Sequence, residues 1–435
     1  MKSTTLPTTS APSGLIVQPR PSRNARIRAI TAGIDPAGSE PEQLGRRLSD
    51  LYETATRAFS AAGFEVQTRR LTLPPVRVSN RATRFSVWNQ LATVTRAAES
   101  AKARWLCLPF VMDGAKHAEE WRLAAVEVVR RFPRTFVNFI IAENGEIYQS
   151  ALPEVAQAVL DISQLSANGF DNFRVGAGCN LVANTPFFPF SYHAGEAGFS
   201  LAVEIIESVL QALEALPCAA SLDDKRASII TTLEEIVREV DAIGCETERT
   251  TGFQYKGLDI SIAPFPDQRR SIGVLFGHLG IETPGHTGTV AVTSFFTNIL
   301  KTVIRITGVR ATGFNGVMFA PLEDTGLAAA GRAKLLSIDK LLQWSTVCGC
   351  GIDMVPVPGS VMREELAALM LDTASISSVL KKPLGVRVLP IPGADVNELT
   401  NFNHDFLVNT RIFPVNGQNV PLGGSLSGNF NYLSP

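Results

Sequence analysis

The sequence predicts an α/β fold in which a largely parallel sheet is covered by helices. Segments with the pattern of a strand alternate with segments of helical periodicity along most of the chain, which is typical of strand–helix–strand crossovers. Hydrophobic residues make up 45% of the 435 positions and only 19% are charged, which indicates a large buried core. No linker or internal repeat divides residues 25–435, so we expect a single α/β domain there.

The elements follow one another from residue 26. A short apolar strand is predicted at 26–34, and a helix at 41–63, where Leu44, Leu48 and Leu51 recur at helical steps. Residues 64–73 alternate like a strand. Further strands are predicted at 105–111, 135–142, 173–182, 258–264, 316–320 and 385–390. Further helices are predicted near 88–103, 116–131, 152–166, 198–215, 221–243, 289–306, 337–344 and 362–380.

The charge balance excludes several classes of protein. Forty lysines and arginines stand against 41 aspartates and glutamates, whereas a general nucleic-acid-binding protein would carry a basic excess. The candidate membrane stretch at 288–304 contains Thr and Ser and is followed by charge, so we expect no membrane insertion. Because charge is low and apolar residues are many, we expect a homo-oligomer that covers part of the apolar surface.

The six cysteines and the N-terminus bear on location. The cysteines form no CxxC pair and no zinc-finger spacing, which favours free thiols in a reducing compartment and predicts a cytoplasmic protein. Residues 1–34 lack Asp and Glu and are rich in Thr, Ser, Pro and Arg. Residues 1–24 therefore have two interpretations, a disordered leader or an organellar targeting segment. The Pro-rich run 18–22 favours the leader, because it would interrupt an amphipathic helix.

Several blocks of the sequence resemble a known family. They read FNGVMFAPLEDTGLAAAG from residue 314, LSIDKLLQWSTVCGCGIDMVPVPG up to residue 359, and GVRVLPIPGADVNELTNF from residue 385. Two earlier blocks are similar as well, DISIAPFPDQRRSIG at 259–273 and the stretch 172–204. These motifs resemble the uncharacterised protein family 0210, also called domain of unknown function 711.

This resemblance implies a fold more than an activity. It implies a ten-stranded α/β barrel like that of pyruvate formate-lyase, built from two sets of parallel strands with helices outside. In glycyl radical enzymes of that fold, a finger loop carries a catalytic cysteine and a C-terminal glycine carries the radical. Gly423, Gly424 and Gly428 are present here, but the Arg-Val and Gly-Tyr residues of the radical motif are absent. We therefore expect no glycyl radical chemistry.

The pair Cys348 and Cys350 is the most suggestive local feature. Each is followed by a glycine, which permits a tight turn that exposes sulfur. Such a pair would ligate a soft metal, form a strained disulfide or place a nucleophilic thiolate. The alternative is that Cys348 packs in the core, where free cysteines are common. Asp353 follows closely and would line the same pocket.

Glu323 and Asp324 follow a predicted strand, at the end where α/β folds keep active groups. Two adjacent carboxylates repel each other, so one of them would have a raised pKa and act as acid or base. They would also suit a hard divalent cation such as Mg²⁺ or Ca²⁺. The alternative is structural, since Asp324 before an Ala-rich run is typical of a helix cap.

A set of polar residues is predicted to bind substrate. Arg387 lies within a strand and, if buried, would grip an anionic ligand or form a salt bridge to Asp353 or Glu323. Asn180 and His193 belong to a loop rich in phenylalanine, which would line a pocket or simply pack. Asn401 and His404 complete the set.

Together these residues predict a metabolic enzyme that acts on a small anionic metabolite. Cys348 or Cys350 would attack as thiolate or assist proton transfer, Glu323 or Asp324 would be the acid/base, and Arg387 would anchor the substrate. No cofactor or metal centre is predicted, apart from the divalent cation considered above. The alternative is a ligand-binding or regulatory protein that retains the barrel without catalysis.

Overall fold

A computed structural model describes residues 24–80 and 84–417, and the predicted leader and the C-terminal glycines lie outside these residues except for position 24. The strands are β1 (Arg26–Gly33), β2 (Arg69–Thr72), β3 (Val76–Arg77), β4 (Trp105–Val111), β5 (Thr135–Glu143), β6 (Glu146–Ile147), β7 (Val175–Cys179), β8 (Gly198–Glu204), β9 (Gln254–Asp259), β10 (Gly351–Pro358) and β11 (Leu384–Ile391). The α-helices are α1 (Pro41–Ala61), α2 (Arg84–Ser100), α3 (Ala118–Arg131), α4 (Leu152–Ser163), α5 (Ile206–Glu214), α6 (Leu222–Thr251), α7 (Ile272–Gly277), α8 (Thr289–Thr307), α9 (Thr325–Arg332), α10 (Ile338–Ser345) and α11 (Arg363–Leu380).

The strands form one mixed sheet in the order β10-β11-β7-β5-β4-β2-β1-β8-β9, with β3 and β6 beside β4 and β5. The five strands β7, β5, β4, β2 and β1 run parallel. The parallel pair β8–β9 joins one side of this block through an antiparallel contact, and the parallel pair β10–β11 joins the other side in the same way. The predicted α/β class is therefore confirmed.

The closed ten-stranded barrel is not confirmed, because β9 and β10 remain at the two ends of the sheet. The segment predicted as a strand at 316–320 makes only an isolated bridge between Ile262 and Val317. Its sequence explains the difference in part, since Asn315 has a left-handed backbone (φ 48°), which interrupts an extended run at its start.

Both faces of the sheet are covered. Between the sheet and the helices lies the main core, to which α1 contributes Leu44, Leu48 and Leu51 as its periodicity predicts. A second cluster lies on the other face and includes Ala29 of β1 and Ile140 of β5. β5 accordingly has eight consecutive buried residues, the pattern of a strand covered on both sides.

Several strands differ from the predicted elements. The short strands β3 and β6 were not predicted, and β9 lies at 254–259 instead of 258–264. The largest differences concern β8 and β10. The segment 198–215, predicted as one helix, consists of β8 followed by α5, and β10 was not predicted at all. Both β8 and β10 are buried along their whole length, and a fully buried element has no polar–apolar period that distinguishes a strand from a helix. In the fold, β8 is fixed by its ladders to β1 and β9.

An irregular segment, the inner loop (residues 180–193), follows β7 on the way to β8. It packs against the face of the sheet that carries Ala29 and Ile140, which is called the inner face below. Side chains from the strands satisfy its backbone carbonyls: the Cys107 thiol donates to Pro189 O and Ser191 O, and the Thr31 hydroxyl donates to Pro186 O. A Cβ at Gly385 would collide with the ring of Phe190, so this glycine makes room for the loop. The loop thereby carries its phenylalanines into the interior.

One helix in the described residues, α8, is long and apolar enough to cross a membrane, and 39% of its apolar 18-residue stretch is buried inside the protein. It packs on α6 and α10.

Candidate active site

A cavity of about 390 Å³ opens on the inner face of the sheet, where β2, β4 and β5 begin, and the inner loop forms part of its wall. Cationic side chains outnumber carboxylates in its lining. The arginines are Arg28, Arg70, Arg104, Arg270 and Arg387, and the carboxylates are Glu65, Glu323 and Asp353. The aromatic residues are Trp105, Phe136, Phe173, Phe187, Phe188, Phe190, Phe265, Phe314 and Phe406.

Arg387 of β11 is buried and paired inside this cavity. Its Nε donates to Asp353 Oδ1 at 2.6 Å and its Nη2 donates to Asp353 Oδ2 at 3.0 Å, a bidentate contact. Nη2 also donates to Glu323 Oε1 at 3.3 Å. Of the two roles predicted for Arg387, the internal salt bridge is the one formed here.

A β-bulge brings Asp353 into the cavity. The ladder between β10 and β11 shifts register between Ile352 and Val355, so that Asp353 and Met354 together oppose Arg387. Met354 has φ 49°, a left-handed conformation that is uncommon for a residue other than glycine. The irregularity therefore places the carboxylate beside the guanidinium.

A second bulge delivers Arg28. The ladder of β1 and β8 shifts between Ile27 and Ala29, and Arg28 is the extra residue. Its Nη1 lies 3.4 Å from Oε2 of the buried Glu204 and donates to Pro264 O at 2.8 Å, while its Nη2 lies 3.6 Å from Glu323 Oε2. Each bulge thus places a charged residue in the cavity, and the two oxygens of Glu323 face different arginines, Oε1 facing Arg387 and Oε2 facing Arg28.

Glu323 lies between these charges and is the candidate acid/base. Burial raises the pKa of its carboxyl, and the nearby Asp353 adds to this effect, while Arg387 and Arg28 act in the opposite direction. Burial is the largest of these influences. A carboxyl group with a raised pKa can hold a proton closer to neutral pH than an exposed glutamate can.

Arg70 of β2 has no carboxylate within 4 Å among the described residues. Its Nε donates to Thr68 Oγ1 at 3.0 Å and its Nη1 to Pro186 O at 3.4 Å, and the guanidinium lies over the ring of Phe188, 5.4 Å from its centroid. Burial and the neighbouring Arg28 lower the pKa of Arg70 to about 9, although Glu323 partly offsets this. The positive charge of Arg70 is therefore only partly balanced by the surrounding described residues.

Arg104 occupies the mouth of the cavity. Its guanidinium lies 4.7 Å from the ring centroid of Phe406 and 5.2 Å from that of Trp105. It too forms no ion pair with a described residue. His404 lies nearby, with its ring 5.2 Å from Phe406 and 4.8 Å from Phe170, and burial lowers its pKa.

The two cysteines lie in different surroundings. Cys350 lines the cavity, where burial raises the pKa of its thiol well above the ordinary value and Asp353 adds to the effect. Cys348 is buried in the main core. The turn between them packs closely on a neighbouring segment, since a Cβ at Gly316 would lie 2.6 Å from Gly349 Cα. This arrangement favours a protonated thiol at Cys350, because burial and Asp353 outweigh the opposing influence of Arg387.

Comparison with known proteins decides the family. The family described as uncharacterised ACR, DUF711, matches residues 21–404. The chain belongs to the DUF711 family. It is 26% identical over 399 residues to a UPF0210 protein of Lactobacillus delbrueckii subsp. bulgaricus, covering 87% of this chain and 88% of that protein.

Two further UPF0210 proteins are similar over nearly the same length. The one from Methanopyrus kandleri is 26% identical over 399 residues, covering 86% of this chain and 87% of its own. The one from Neisseria gonorrhoeae is 24% identical over 398 residues, covering 87% of this chain and 88% of its own. The predicted family is thus confirmed.

In this DUF711 protein, Asp324 lies outside the cavity and caps α9. Its Oδ1 accepts from Leu327 N at 2.8 Å and from the Ser271 hydroxyl at 2.7 Å, and its Oδ2 accepts from Ile272 N. Both oxygens are occupied, so Asp324 and Glu323 do not form a joint cation site. Among the residues described, no group of three or more His, Cys, Asp or Glu side chains is placed to hold a metal ion.

Three other predicted residues also lie away from the cavity. The side chain of Asn180 accepts from Gly145 N and donates to Ser377 Oγ, at the opposite end of β7. His193 is buried at the end of the inner loop, with Nδ1 2.9 Å from Asn184 Oδ1. Asn401 is exposed.

Four arginines of the cavity were not predicted from the sequence: Arg28, Arg70, Arg104 and Arg270. A signal was available for Arg28 and Arg70, because each lies within a predicted strand, as Arg387 does. An arginine in an apolar strand needs a partner or a ligand wherever it is buried. No comparable pattern marks Arg104 and Arg270, which lie outside strands in the structure.

Proposed function

We propose that the cavity binds a small anionic metabolite, with Arg70 as the principal anchor and Glu323 as the group that exchanges a proton with it. The observation that carries the proposal is the partly buried guanidinium of Arg70, which has no carboxylate within 4 Å among the described residues. A bound anion would supply the missing charge. Arg387, the anchor expected from the sequence, is already engaged by Asp353.

Proton transfer is the chemistry that these residues favour. Glu323 and Arg70 interact electrostatically. When an anion neutralises Arg70, the Glu323 carboxylate loses part of its stabilisation and its pKa rises further. Cys350, held as a thiol, would assist by donating a hydrogen bond instead of attacking as a thiolate. This supports acid–base catalysis over covalent catalysis.

Ligand binding without catalysis is the second candidate. It is favoured by the bidentate pairing of Arg387 with Asp353, which leaves these two groups engaged with each other in the ligand-free cavity. In a sensor or regulatory protein, Glu323 would contribute only to the charge balance. The two candidates share the anchor Arg70 and differ in whether a proton moves.

We also propose that residues 25–435 form one domain and that the segment 311–322 brings the two ends of the sheet together as a barrel. Hydrogen bonds on both sides of the segment support this. Ile262 N donates to Gly316 O at 2.9 Å, and Met318 N donates to Ile262 O at 3.0 Å. On the other side, Gly349 N donates to Val317 O at 3.2 Å, and Leu322 N donates to Met354 O at 3.3 Å.

Thermal unfolding with a panel of anions tests the binding proposal. We expect at least one of acetate, malonate, inorganic phosphate and 3-phenylpropionate to raise the Tm of the natural protein, since a ligand that binds only the folded state stabilises it. The shift should disappear in Arg70→Gln and persist in Arg249→Gln, a control for an exposed arginine outside the cavity. An unchanged shift in Arg70→Gln would refute the assignment.

Deuterium exchange separates the enzyme from the binding protein. We would incubate the protein with 2-oxo and 2-hydroxy acids in D₂O and follow deuterium incorporation into their C–H bonds by NMR. The enzyme proposal predicts exchange above the spontaneous rate for at least one acid, lost in Glu323→Gln. Saturable binding of these acids without any exchange would favour the non-catalytic alternative.

A further inference from the structure

We infer that the anionic ligand has an apolar, hydroxyl-poor body: an aryl or branched-alkyl carboxylate, and not a polyhydroxylated acid. This inference rests on the proposed anion site and specifies its ligand class. It follows from the side chains that line the rest of the cavity, around an anionic group bound at Arg70.

One side of the cavity is apolar. Phe190, Phe314 and Met318 line it and belong to the same buried cluster on the inner face of the sheet. The rings of Phe190 and Phe314 meet edge to face with centroids 6.1 Å apart, so the surface is fixed by packing. An apolar group placed there would bury hydrophobic area against a preformed surface.

Neutral polar side chains are scarce among the described lining residues. Besides the Cys350 thiol and the Trp105 indole N–H, they are Gln67 and Thr68. Thr68 is already engaged, because its hydroxyl donates to Arg28 O at 2.5 Å and accepts from Arg70 Nε at 3.0 Å. All three lining carboxylates are engaged by arginines, Glu323 and Asp353 by Arg387 and Glu65 by Arg26. A ligand with several hydroxyls would therefore leave most of them without acceptors, which costs free energy in a buried site.

The guanidiniums also favour a planar anion. Arg70 lies over Phe188, Arg104 lies over Phe406 and Trp105, and Arg270 lies 3.8 Å from the ring centroid of Phe265. A guanidinium stacked on a ring has its N–H groups directed along its edge, and that edge matches the two oxygens of a carboxylate. A planar aryl carboxylate suits both the stacked arginines and the aromatic wall.

Isothermal titration calorimetry with matched probes tests the inference. The probes are 3-phenylpropionate, gluconate and 3-phenylpropan-1-ol, which separate the contributions of the carboxylate, the hydroxyls and the aromatic body. We expect 3-phenylpropionate to bind and gluconate and the neutral alcohol to bind at least tenfold more weakly. Met318→Gln should weaken 3-phenylpropionate by roughly tenfold, the loss expected for one buried apolar contact surface. Met362→Gln, at an exposed position, should have no effect.

The outcomes separate this inference from the anion site itself. Tighter binding of gluconate than of 3-phenylpropionate, abolished by Arg70→Gln, would overturn the apolar ligand class while leaving the anion site intact. Binding of 3-phenylpropionate that is insensitive to Arg70→Gln and matched by the neutral alcohol would overturn both. Absence of binding by every anion in this set and in the thermal panel would also refute both.

Discussion

Asp353 and Arg387 face each other across the β10–β11 ladder because two residues of β10 oppose one of β11 at this point. The two hydrogen bonds between them, 2.6 and 3.0 Å long, fix the plane of the guanidinium. Nη2 of the same guanidinium is then directed at Glu323. The position of the proposed acid/base is thus set by an irregularity in the sheet.

Removing Arg387 should strongly destabilise the protein. Arg387→Gln leaves Asp353 as a buried carboxylate without its ion-pair partner, and we expect a loss of about 3–5 kcal/mol in the free energy of unfolding, measured by urea denaturation. The exposed pair Arg238 and Glu234 provides the control, since Arg238→Gln should have little effect. Equal losses in the two variants would contradict the structural role of the buried pair.

Arg70→Gln should not lower the free energy of unfolding, in contrast to Arg387→Gln. The natural guanidinium is partly buried beside other arginines and its pKa is lowered to about 9, so its charge costs folding free energy. We expect the variant to unfold at the same or a higher urea concentration than the natural protein, in the absence of ligand. A large loss of stability in Arg70→Gln would show that the protein itself already compensates this cation.

The native thiols should differ sharply in alkylation. Cys218 is exposed and provides an internal reference, whereas Cys350 is buried and its pKa is raised. Peptide-resolved labelling with iodoacetamide should modify Cys218 at an ordinary rate and leave Cys350 unmodified until the protein unfolds. Native labelling of Cys350 with a midpoint below the free-thiol value of about 8.5 would restore the thiolate mechanism.

His193 should make stability depend on pH. Burial lowers its pKa to about 4, from an unfolded value of about 6.5, so below pH 6.5 the unfolded state binds a proton that the folded state excludes. Its contribution is therefore fully present above pH 6.5 and is lost as the pH falls to 4, by an amount on the order of 2–3 kcal/mol. Urea denaturation across this range should show a shallower pH dependence in His193→Gln. His286→Gln, at an exposed site, should retain the natural slope.

Asp324→Ala should destabilise α9 without affecting anion binding. The substitution removes the acceptor for Leu327 N, Ile272 N and the Ser271 hydroxyl, all buried, and we expect a loss of about 2 kcal/mol or more. Asp324→Asn, which keeps one carbonyl acceptor, should lose less. An unchanged Kd for the anion in both variants would agree with a capping role, whereas loss of binding at retained stability would restore Asp324 to the site.

Many regular elements could be predicted from the sequence, but the fully buried strands β8 and β10 could not. The strand at Trp105–Val111 has the predicted bounds. A seven-residue apolar run between two helical segments has the length of a strand and is short for a buried helix. β8 was predicted as helix because its apolar run is too short to reveal a period. The pairing of β8 with both β1 and β9 depends on residues far away in the chain, and no local pattern records it.

The candidate site shows the same division. Glu323, Asp353, Cys350 and Arg387 were predicted from their residue types, and all four line one cavity. The bulges at Arg28 and at Asp353 were not predictable, because register shifts arise from ladder partners. Asn180 and His193 were predicted to line the cavity, but the inner loop reaches it through its phenylalanines instead. The expected homo-oligomer and cytoplasmic location remain predictions.

A fluorescence titration at the cavity tests most directly whether Arg70 anchors a bound anion. Trp105, one of four tryptophans, lines the cavity beside Arg104 and should respond when an anion enters. We would titrate the anion that gives the largest Tm shift into the natural protein, Arg70→Gln, Arg70→Lys and Trp105→Phe. If Arg70 anchors the anion, we expect a saturable change that is lost in Arg70→Gln, partly retained in Arg70→Lys and absent in Trp105→Phe. A saturable change from Trp105 with the same Kd in Arg70→Gln would contradict the central claim that Arg70 anchors the ligand.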